Sequence, residues 1–530
     1  MDIFALLLIF VVVSVIVIFG KFVGTSLRTT YNDSYNQAKR QGLAQRAAQG
    51  EKPFGAPWEQ SFGSAYFMVP EQMVAAGIAF TQEDFKERIS ANAPKTFRLL
   101  GHSSFNNQSA INVLARDGHI LTIAPTRSGK GVSAVIPNLM TYTGSMVVND
   151  VKGENYAVTA NWRRRMGHRV LRFAPFENDT DFWNPFDLID DDDEDAWEEV
   201  RTFAELLLPE RTQNEEFWNN EARNLLAGVI LHMHLTLPEE ERTMWQLRHL
   251  LTQDNTGLDD LLTEMETSDN ALTQRAASTF LRADVKVRDG IMSTLNSHMG
   301  IWDSPRLKHM MSKNSYRLPK MLFEPMTVYF SIPPGKLDAY APVIRLFMGM
   351  LAKHFSSYTG RCDYPVLFML DEFPALGRMK IVEEGITYLA GYGINFWLFA
   401  QDLKQLAATY GEKAESIIAN CAVKQFFGVA DYETAQLVSH MCGETTIPSI
   451  SYSGESGVTL KGANLTANSG GRPLLTPNEA MNLPEGMQLL FYQGQQVVGA
   501  TKANYLTDDL FKDAEQMPLY DENPFHRTAN

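Results

Sequence analysis

One stretch narrows the architectures open to this chain. Leu121–Leu139, LTIAPTRSGKGVSAVIPNL, runs from an apolar strand through a glycine-bearing loop into a helix. Such a loop turns its backbone N–H groups inward, and the positive end of the following helix points at the same spot. The arrangement suits a polyphosphate, with Lys130 spaced to reach the outer phosphates. The expected cradle is Thr126, Arg127, Ser128, Gly129, Lys130, Gly131 and Val132. The usual pattern opens on Gly and carries Ser or Thr after the lysine; here Ala124 and Gly131 stand at those positions. Gly131 removes the hydroxyl that ordinarily touches Mg²⁺, which leaves that contact to water or to Ser133. A chance Ser-Gly-Lys in a loop is the plainer alternative. The strand before it, the helix after it and a downstream carboxylate pair weigh against that alternative.

That pair closes Val366–Glu372, VLFMLDE, an apolar strand ending in two acids. Ligands of open α/β sheets sit at the carboxyl ends of strands. Asp371 is expected to hold Mg²⁺, directly or through water, and Glu372 to orient and deprotonate the attacking water. A helix N-cap is the alternative for both. Gln401 follows the strand Phe396–Phe399 and can hydrogen-bond a γ-phosphate or the lytic water; otherwise it merely starts a helix. Asp150, Lys152 and Glu154 follow another strand, Ser145–Val148, at the same edge, where Lys152 and Glu154 read better as solvated turn residues. Arg345 and Arg378 are candidates for an arginine acting on a neighbouring subunit, and the sequence does not choose between them. Together the segments describe a chain that binds and hydrolyses a nucleoside triphosphate, with ATP and Mg²⁺ as cofactors.

The chain has 530 residues, more than one compact core holds. Buried parallel strands read as apolar runs, and Ile120–Ile123, Ser145–Val148, Val328–Ile332, Val366–Leu370 and Phe396–Phe399 are such runs. Alternation with helical periods predicts a doubly wound α/β sheet. Pro137 should kink or shorten the helix behind the loop. Strand runs vanish between Asp181 and Pro319, replaced by amphipathic stretches at Trp197–Leu208, Asn214–Leu235, Met244–Leu251, Gly257–Met265 and Leu272–Met299. That pattern predicts an all-α domain inserted into the α/β domain. The acidic run Asp190–Asp195 at its entry reads as a solvated linker, and Ser449–Gly471 as a mobile loop. The resulting division begins with a membrane anchor over 1–24 and a juxtamembrane linker over 25–60. The nucleotide-binding domain then comes in two segments, 61–180 and 320–505, on either side of the all-α domain of 181–319. Residues 506–530 form a C-terminal tail.

Ile3–Phe19, with Ser14 its only polar residue, is at the short end of what spans a bilayer. A cleaved signal peptide is the rival, but no basic residue precedes the run. Lys21, Arg28, Lys39, Arg40 and Arg46 follow it against the single acid Asp33, which places the bulk of the chain in the cytoplasm. The net charge of −15 argues against a surface coated in positive charge for nonspecific nucleic-acid binding, though not against a local basic channel. Cys362, Cys421 and Cys442 match no metal or redox spacing.

Taken in order, GSAYFM (Gly63–Met68), APTRSGKGVS (Ala124–Ser133), NDVKGENY (Asn149–Tyr156), FWNNEARNLL (Phe217–Leu226), LDEFPALGRM (Leu370–Met379), GYGINFWLFAQDLKQL (Gly391–Leu406) and GRPLLTPNE (Gly471–Glu479) resemble the type IV coupling proteins, the membrane-anchored ATPases of conjugation and type IV secretion. Glycine after the phosphate-loop lysine is itself similar to many members. The resemblance implies a RecA-like P-loop NTPase domain with an inserted all-α domain, assembled as a homo-hexamer around a pore at the bacterial inner membrane. It implies relaxase-bound single-stranded DNA, or secreted proteins, as cargo, and the channel ATPases and inner-membrane scaffold of a type IV secretion system as partners. Many members have two transmembrane helices; this chain shows one apolar run.

Overall fold

The computed structural model describes residues 63–90, 97–105, 108–189, 193–209, 216–358, 362–453 and 464–511. The expected membrane anchor and juxtamembrane linker lie outside the described residues. Among the described residues, no helix is long and apolar enough to cross a membrane.

In chain order the strands are β1 Ala79–Phe80, β2 Arg98–Phe105, β3 Gln108–Leu114, β4 His119–Ile123, β5 Ser145–Asn149, β6 Arg169–Phe173 and β7 Met326–Phe330. They continue with β8 Val366–Leu370, β9 Ile394–Ala400, β10 Cys421–Phe426, β11 Glu444–Ser453, β12 Asn464–Pro473, β13 Met487–Tyr492 and β14 Val498–Thr501. Among the described residues, twelve of them form one mixed sheet in the order β1-β3-β2-β14-β13-β10-β4-β9-β8-β5-β7-β6. From β10 to β6 every pairing is parallel; from β1 to β10 every pairing is antiparallel.

The parallel half explains which strands are visible in the sequence. β5, β7, β8 and β9 are buried at every residue, so their sequences are mostly apolar, with Ser145, Asn149, Thr327 and Asn395 the polar exceptions. β6 reads RVLRF because it is the edge strand, buried on one face only. β10 reads CAVKQF, and its two polar residues hide it from an apolar-run search. Its Gln425 is buried in a hydrogen-bonded chain across the sheet. Trp397 Nε1 donates to Thr122 Oγ1 at 2.8 Å, and Thr122 Oγ1 donates to Gln425 Oε1 at 2.6 Å. Gln425 Nε2 donates to Gln488 Oε1 at 2.6 Å, and Gln488 Nε2 reaches Leu100 O at 2.5 Å. Fully satisfied networks of this kind fix a unique arrangement; this one joins the parallel strands to β13 and β2.

β6 and β7 are sheet neighbours, yet the chain between them is helical: Asp193–Leu207, Glu216–Thr236, Met244–Leu251, Asn255–Glu266, Ala271–Arg282, Val285–Met299 and Pro305–Met310. An insertion between adjacent strands leaves the sheet order untouched. The amphipathic stretch read over Leu272–Met299 forms two helices, broken at Ala283 and Asp284, where the backbone turns extended. The acidic run does not stay a linker throughout, because the first helix begins at Asp193.

Behind the phosphate loop, Gly131–Val135 forms a π-helical turn that passes into an α-helix at Ile136–Thr141. The Ile136 N–H donates to Gly131 O, five residues back. Pro137 has no N–H to give and its ring crowds the preceding turn, so the ladder widens there rather than stopping. The expected disruption is a change of helical register.

Contacts divide the described residues into two compact units, one within Phe67–Met441 and Leu475–Asn530, the other within Met1–Tyr66 and Cys442–Leu474. The first contains the sheet and the helices above. The second contains β11 and β12, an antiparallel hairpin paired from Glu444↔Pro473 to Ser453↔Asn464. This corrects the expected loop for Ser449–Ser453 and Asn464–Gly471; the rest of that span lies outside the described residues. Serine content masked a period of two, visible in Ile450-Ser451-Tyr452-Ser453. The expected tail also starts later than residue 506, since Phe511 is 2% exposed within an apolar cluster that includes Ile136 and Tyr505.

Candidate nucleotide site

The site is assembled from the carboxyl ends of neighbouring parallel strands. β9 lies between β4 and β8. β4 and β9 are paired to their ends, Ile123↔Ala400, and the Ala124 N–H extends the ladder by donating to Ala400 O at 2.9 Å. β5 and β8 end level, Asn149↔Leu370. The phosphate loop, Gln401, the Asp371–Glu372 pair and Asp150 therefore leave the sheet at one edge.

The loop is closed by its own backbone and one side chain. Ser128 N–H and Ser128 Oγ both donate to Pro125 O, at 3.3 and 2.6 Å, and Ser133 N–H donates to Gly129 O at 2.9 Å. Gly129 has φ +92°, a conformation that L side chains rarely adopt. Among the described residues, only two non-glycine residues have positive φ: Arg127 at 64° and Glu372 at 52°. Each costs roughly 1–3 kcal/mol, and such strain collects at functional sites. Here both lie at the same sheet edge, one in the loop and one in the acid pair.

Lys130 is 9% exposed. Its Nζ stands 3.1 Å from Glu372 Oε1 and 3.9 Å from Asp371 Oδ1. Gln401 Nε2 donates to the other Glu372 oxygen, Oε2, at 2.9 Å. Lys130, Asp371, Glu372 and Gln401 thus form one cluster, in which the bonded Lys130 and Glu372 are 242 residues apart. The Glu372 N–H donates to Asp371 Oδ1 at 3.1 Å, and Asn149 Nδ2 donates to Asp371 O at 2.7 Å, which fixes the turn after β8. Burial raises the Asp371 pKa, Lys130 opposes the rise and Glu372 adds to it. The Asp371 side chain keeps 28% exposure, so water moderates these effects.

The remaining expected residues divide. Thr126, Arg127, Ser128 and Gly129 form the loop. A Cβ at Gly131 would meet nothing within 4 Å, so a serine or threonine would fit there. Val132 turns its side chain into the apolar cluster behind the loop, which leaves its backbone as the part near the site. Asp150 is buried and works as a cap: its carboxylate accepts from Asn155 N–H at 3.2 Å and Tyr156 N–H at 2.8 Å, at the start of the helix Glu154–Arg165. Desolvation pushes the Asp150 pKa up to about 6. Lys152 is exposed. Arg345 donates to Leu376 O at 2.7 Å, and Arg378 pairs with Glu383. Both line a cleft of about 320 Å³ with Lys353, Lys380 and Tyr388, and no phosphate-loop residue lines that cleft.

Sequence reasoning missed Lys502. Its Nζ donates to Ser128 O at 2.8 Å, across 374 residues, and no local pattern around it announces a site.

Asp371 and Glu372 offer hard oxygen donors beside a lysine and a ring of amides. Mg²⁺ is commonly held by one or two carboxylates with phosphate oxygens and water, so the donor set fits that ion. Among the described residues, no cluster of three or more acidic, histidine or cysteine side chains forms a self-sufficient metal cage.

Known proteins resemble this chain in sequence and in fold. The family model described as type IV secretory system conjugative DNA transfer matches residues 67–523. Conjugal transfer protein TraG of Escherichia coli is 29% identical over 498 residues, covering 86% of this chain and 78% of TraG. Protein VirD4 of Rhizobium rhizogenes is 30% identical over 402 residues, covering 74% of this chain and 59% of VirD4. The bacterial conjugative coupling protein TrwB, in an unbound crystal form, superposes with a TM-score of 0.61 at 18% identity, covering 84% of this chain and 94% of that structure. TrwB in complex with ADP and Mg²⁺ superposes with a TM-score of 0.59 at 17% identity, covering 85% of this chain and 96% of that one. The likeness to TrwB is one of fold, with a mixed α/β sheet core. With its phosphate loop, its paired acids and nearly all of its described residues inside the matched region, the chain belongs to the type IV coupling proteins of conjugative DNA transfer.

Proposed function

We propose that this protein is a membrane-anchored coupling ATPase that uses ATP hydrolysis to feed relaxase-bound single-stranded DNA, or protein substrates, to a type IV secretion channel. One observation carries the enzymatic reading: Glu372 has one carboxylate oxygen on Lys130 and the other on Gln401, at the edge where the phosphate loop ends. A nucleotide that takes Lys130 for its own phosphates releases one Glu372 oxygen, which is then free to accept a proton from water. Gln401, directly after the strand between the loop and the acids, would report which oxygen is engaged. Thr126–Val132 would cradle the phosphates with backbone N–H groups, and Asp371 would hold Mg²⁺, which neutralises phosphate charge when bound. That TrwB has been solved with ADP and Mg²⁺ supports the choice of ligands.

The remainder of the proposal follows family membership and the sequence. The nucleotide-binding domain comprises 61–180 and 320–505, with the all-α domain of 181–319 meeting cargo. Residues 1–24 anchor the chain in the inner membrane by a single pass, with the bulk cytoplasmic, and the protein works as a homo-hexamer with the channel ATPases and inner-membrane scaffold. Lys130→Ala tests the motor. ATP turnover and transfer should fall by on the order of 10²–10³, with the loss of a group that binds developing phosphate charge, while membrane insertion is unchanged. Scoring DNA and protein transfer separately identifies the cargo, and normal transfer of both would end the motor reading.

A further inference from the structure

The last described stretch of the chain passes over the phosphate loop. Beyond β14 the Lys502 N–H donates to Gly486 O at 2.8 Å, and the Tyr505 N–H donates to Val132 O at 3.4 Å. Ala503, Tyr505 and Phe511 are buried in one cluster with Ile136 and Met140 of the helix behind the loop. The segment is therefore held to the same helix that presents Lys130, and its register is fixed independently of the Lys502 side chain.

That side chain reaches the loop itself. Its Nζ donates to Ser128 O at 2.8 Å, lies 5.0 Å from the centroid of the Phe427 ring, and would stand 3.6 Å from a Cβ built on Gly129. An ammonium carries three N–H donors, and among the described residues the Ser128 carbonyl is the hydrogen-bond partner it has. No carboxylate there forms an ion pair with it; Glu485 acts on it only from beyond that distance. Lys130 is different, because Glu372 and Asp371 neutralise it. A half-buried cation with no carboxylate in ion-pair contact carries a desolvation cost. A brace for the Ser128 carbonyl needs one donor and no charge. The unused donors, and a charge that only the more distant Glu485 offsets, suit an anion beside this loop.

We infer that Lys502 is a second phosphate-binding lysine, contacting the polyphosphate of a nucleoside di- or triphosphate seated on Ser128–Lys130, an inference that rests on the nucleotide site proposed above. Lys130 approaches the phosphates from the start of the helix, Lys502 from the segment after β14. The charge balance of the site then changes: Lys130 alone is outnumbered by two carboxylates, whereas the pair of lysines brings the side-chain charges around the phosphates to balance.

The test uses the full 530-residue chain, titrated with fluorescent ATP and ADP analogues at low and high salt, with the melting temperature measured without nucleotide. Lys502→Met should weaken both nucleotides about tenfold, the size of one lost charge-assisted hydrogen bond, and reduce the salt dependence of binding. The nucleotide-free melting temperature should not move, and Lys502→Arg, which keeps the charge, should restore most of the affinity. Binding by Lys502→Met equal to that of the unaltered chain would overturn the inference while leaving the nucleotide site standing. So would a loss that tracks a lower melting temperature and that Lys502→Arg does not repair, since that describes a brace. Failure of the unaltered chain to bind either analogue would overturn both readings together.

Discussion

Glu372 carries two hydrogen bonds on two oxygens while its own backbone sits at φ 52°. Three elements hold it there: the turn after β8, Lys130 from the helix start and Gln401 from β9. A residue over-determined in this way keeps its carboxylate aimed in spite of backbone strain. Glu372→Gln keeps the size and removes the base. The amide can accept from Lys130 or Gln401, but its NH₂ must then face the other donor. We expect the variant to bind ATP and retain it, with turnover lowered by about 10²–10⁴, the usual contribution of a positioned base. Single-turnover hydrolysis after rapid mixing checks this, and fast hydrolysis would assign the base to another group.

At the scale of elements, the helix Glu154–Arg165 begins over a buried acid. Asp150 accepts from two of its first N–H groups, yet desolvation is the larger effect and raises its pKa to about 6. The folded chain thus holds this proton more tightly than the unfolded chain, whose carboxyl has an ordinary pKa near 3.9. Stability from this group is therefore fully present at low pH and falls as pH rises from about 4 through about 6, then levels off. Asp150→Asn keeps an acceptor for the helix start and deletes the titration. Denaturant unfolding at pH 4.5 and pH 7, without nucleotide or Mg²⁺, should show a smaller loss with rising pH for Asp150→Asn. An identical pH dependence in both proteins would mean that Asp150 is not the titrating group.

For the whole molecule, the insertion between neighbouring strands lets a large helical region hang from β6 and β7 without altering the edge where the phosphate loop and the acids meet. The helical region can then change without disturbing the candidate nucleotide site. The apolar run Ile3–Phe19 lies outside the described residues and is argued from composition. Removal of residues 1–20 should release the protein from membranes into a soluble fraction and weaken its assembly. Retention of that shortened chain in the membrane pellet would rule out the run as the anchor.

The sequence by itself determined the chemistry on offer. A strand running into Thr126–Val132, an apolar strand closing on Asp371–Glu372 and a glutamine after Phe396–Phe399 were each legible, because a buried parallel strand and a phosphate loop are encoded over a dozen consecutive residues. Strands with mixed surroundings were not. β6 alternates because it is an edge, β10 carries Lys424 and a buried Gln425, and the serines of β11 conceal its period. The tertiary structure alone decided which ends meet. Strand order puts β9 between β4 and β8, so Gln401 lands beside Glu372, and the antiparallel half carries Lys502 back onto Ser128 from 374 residues away. Such partners are chosen by burial and register across the whole sheet, and a contact between distant segments leaves no trace in the residues flanking either one.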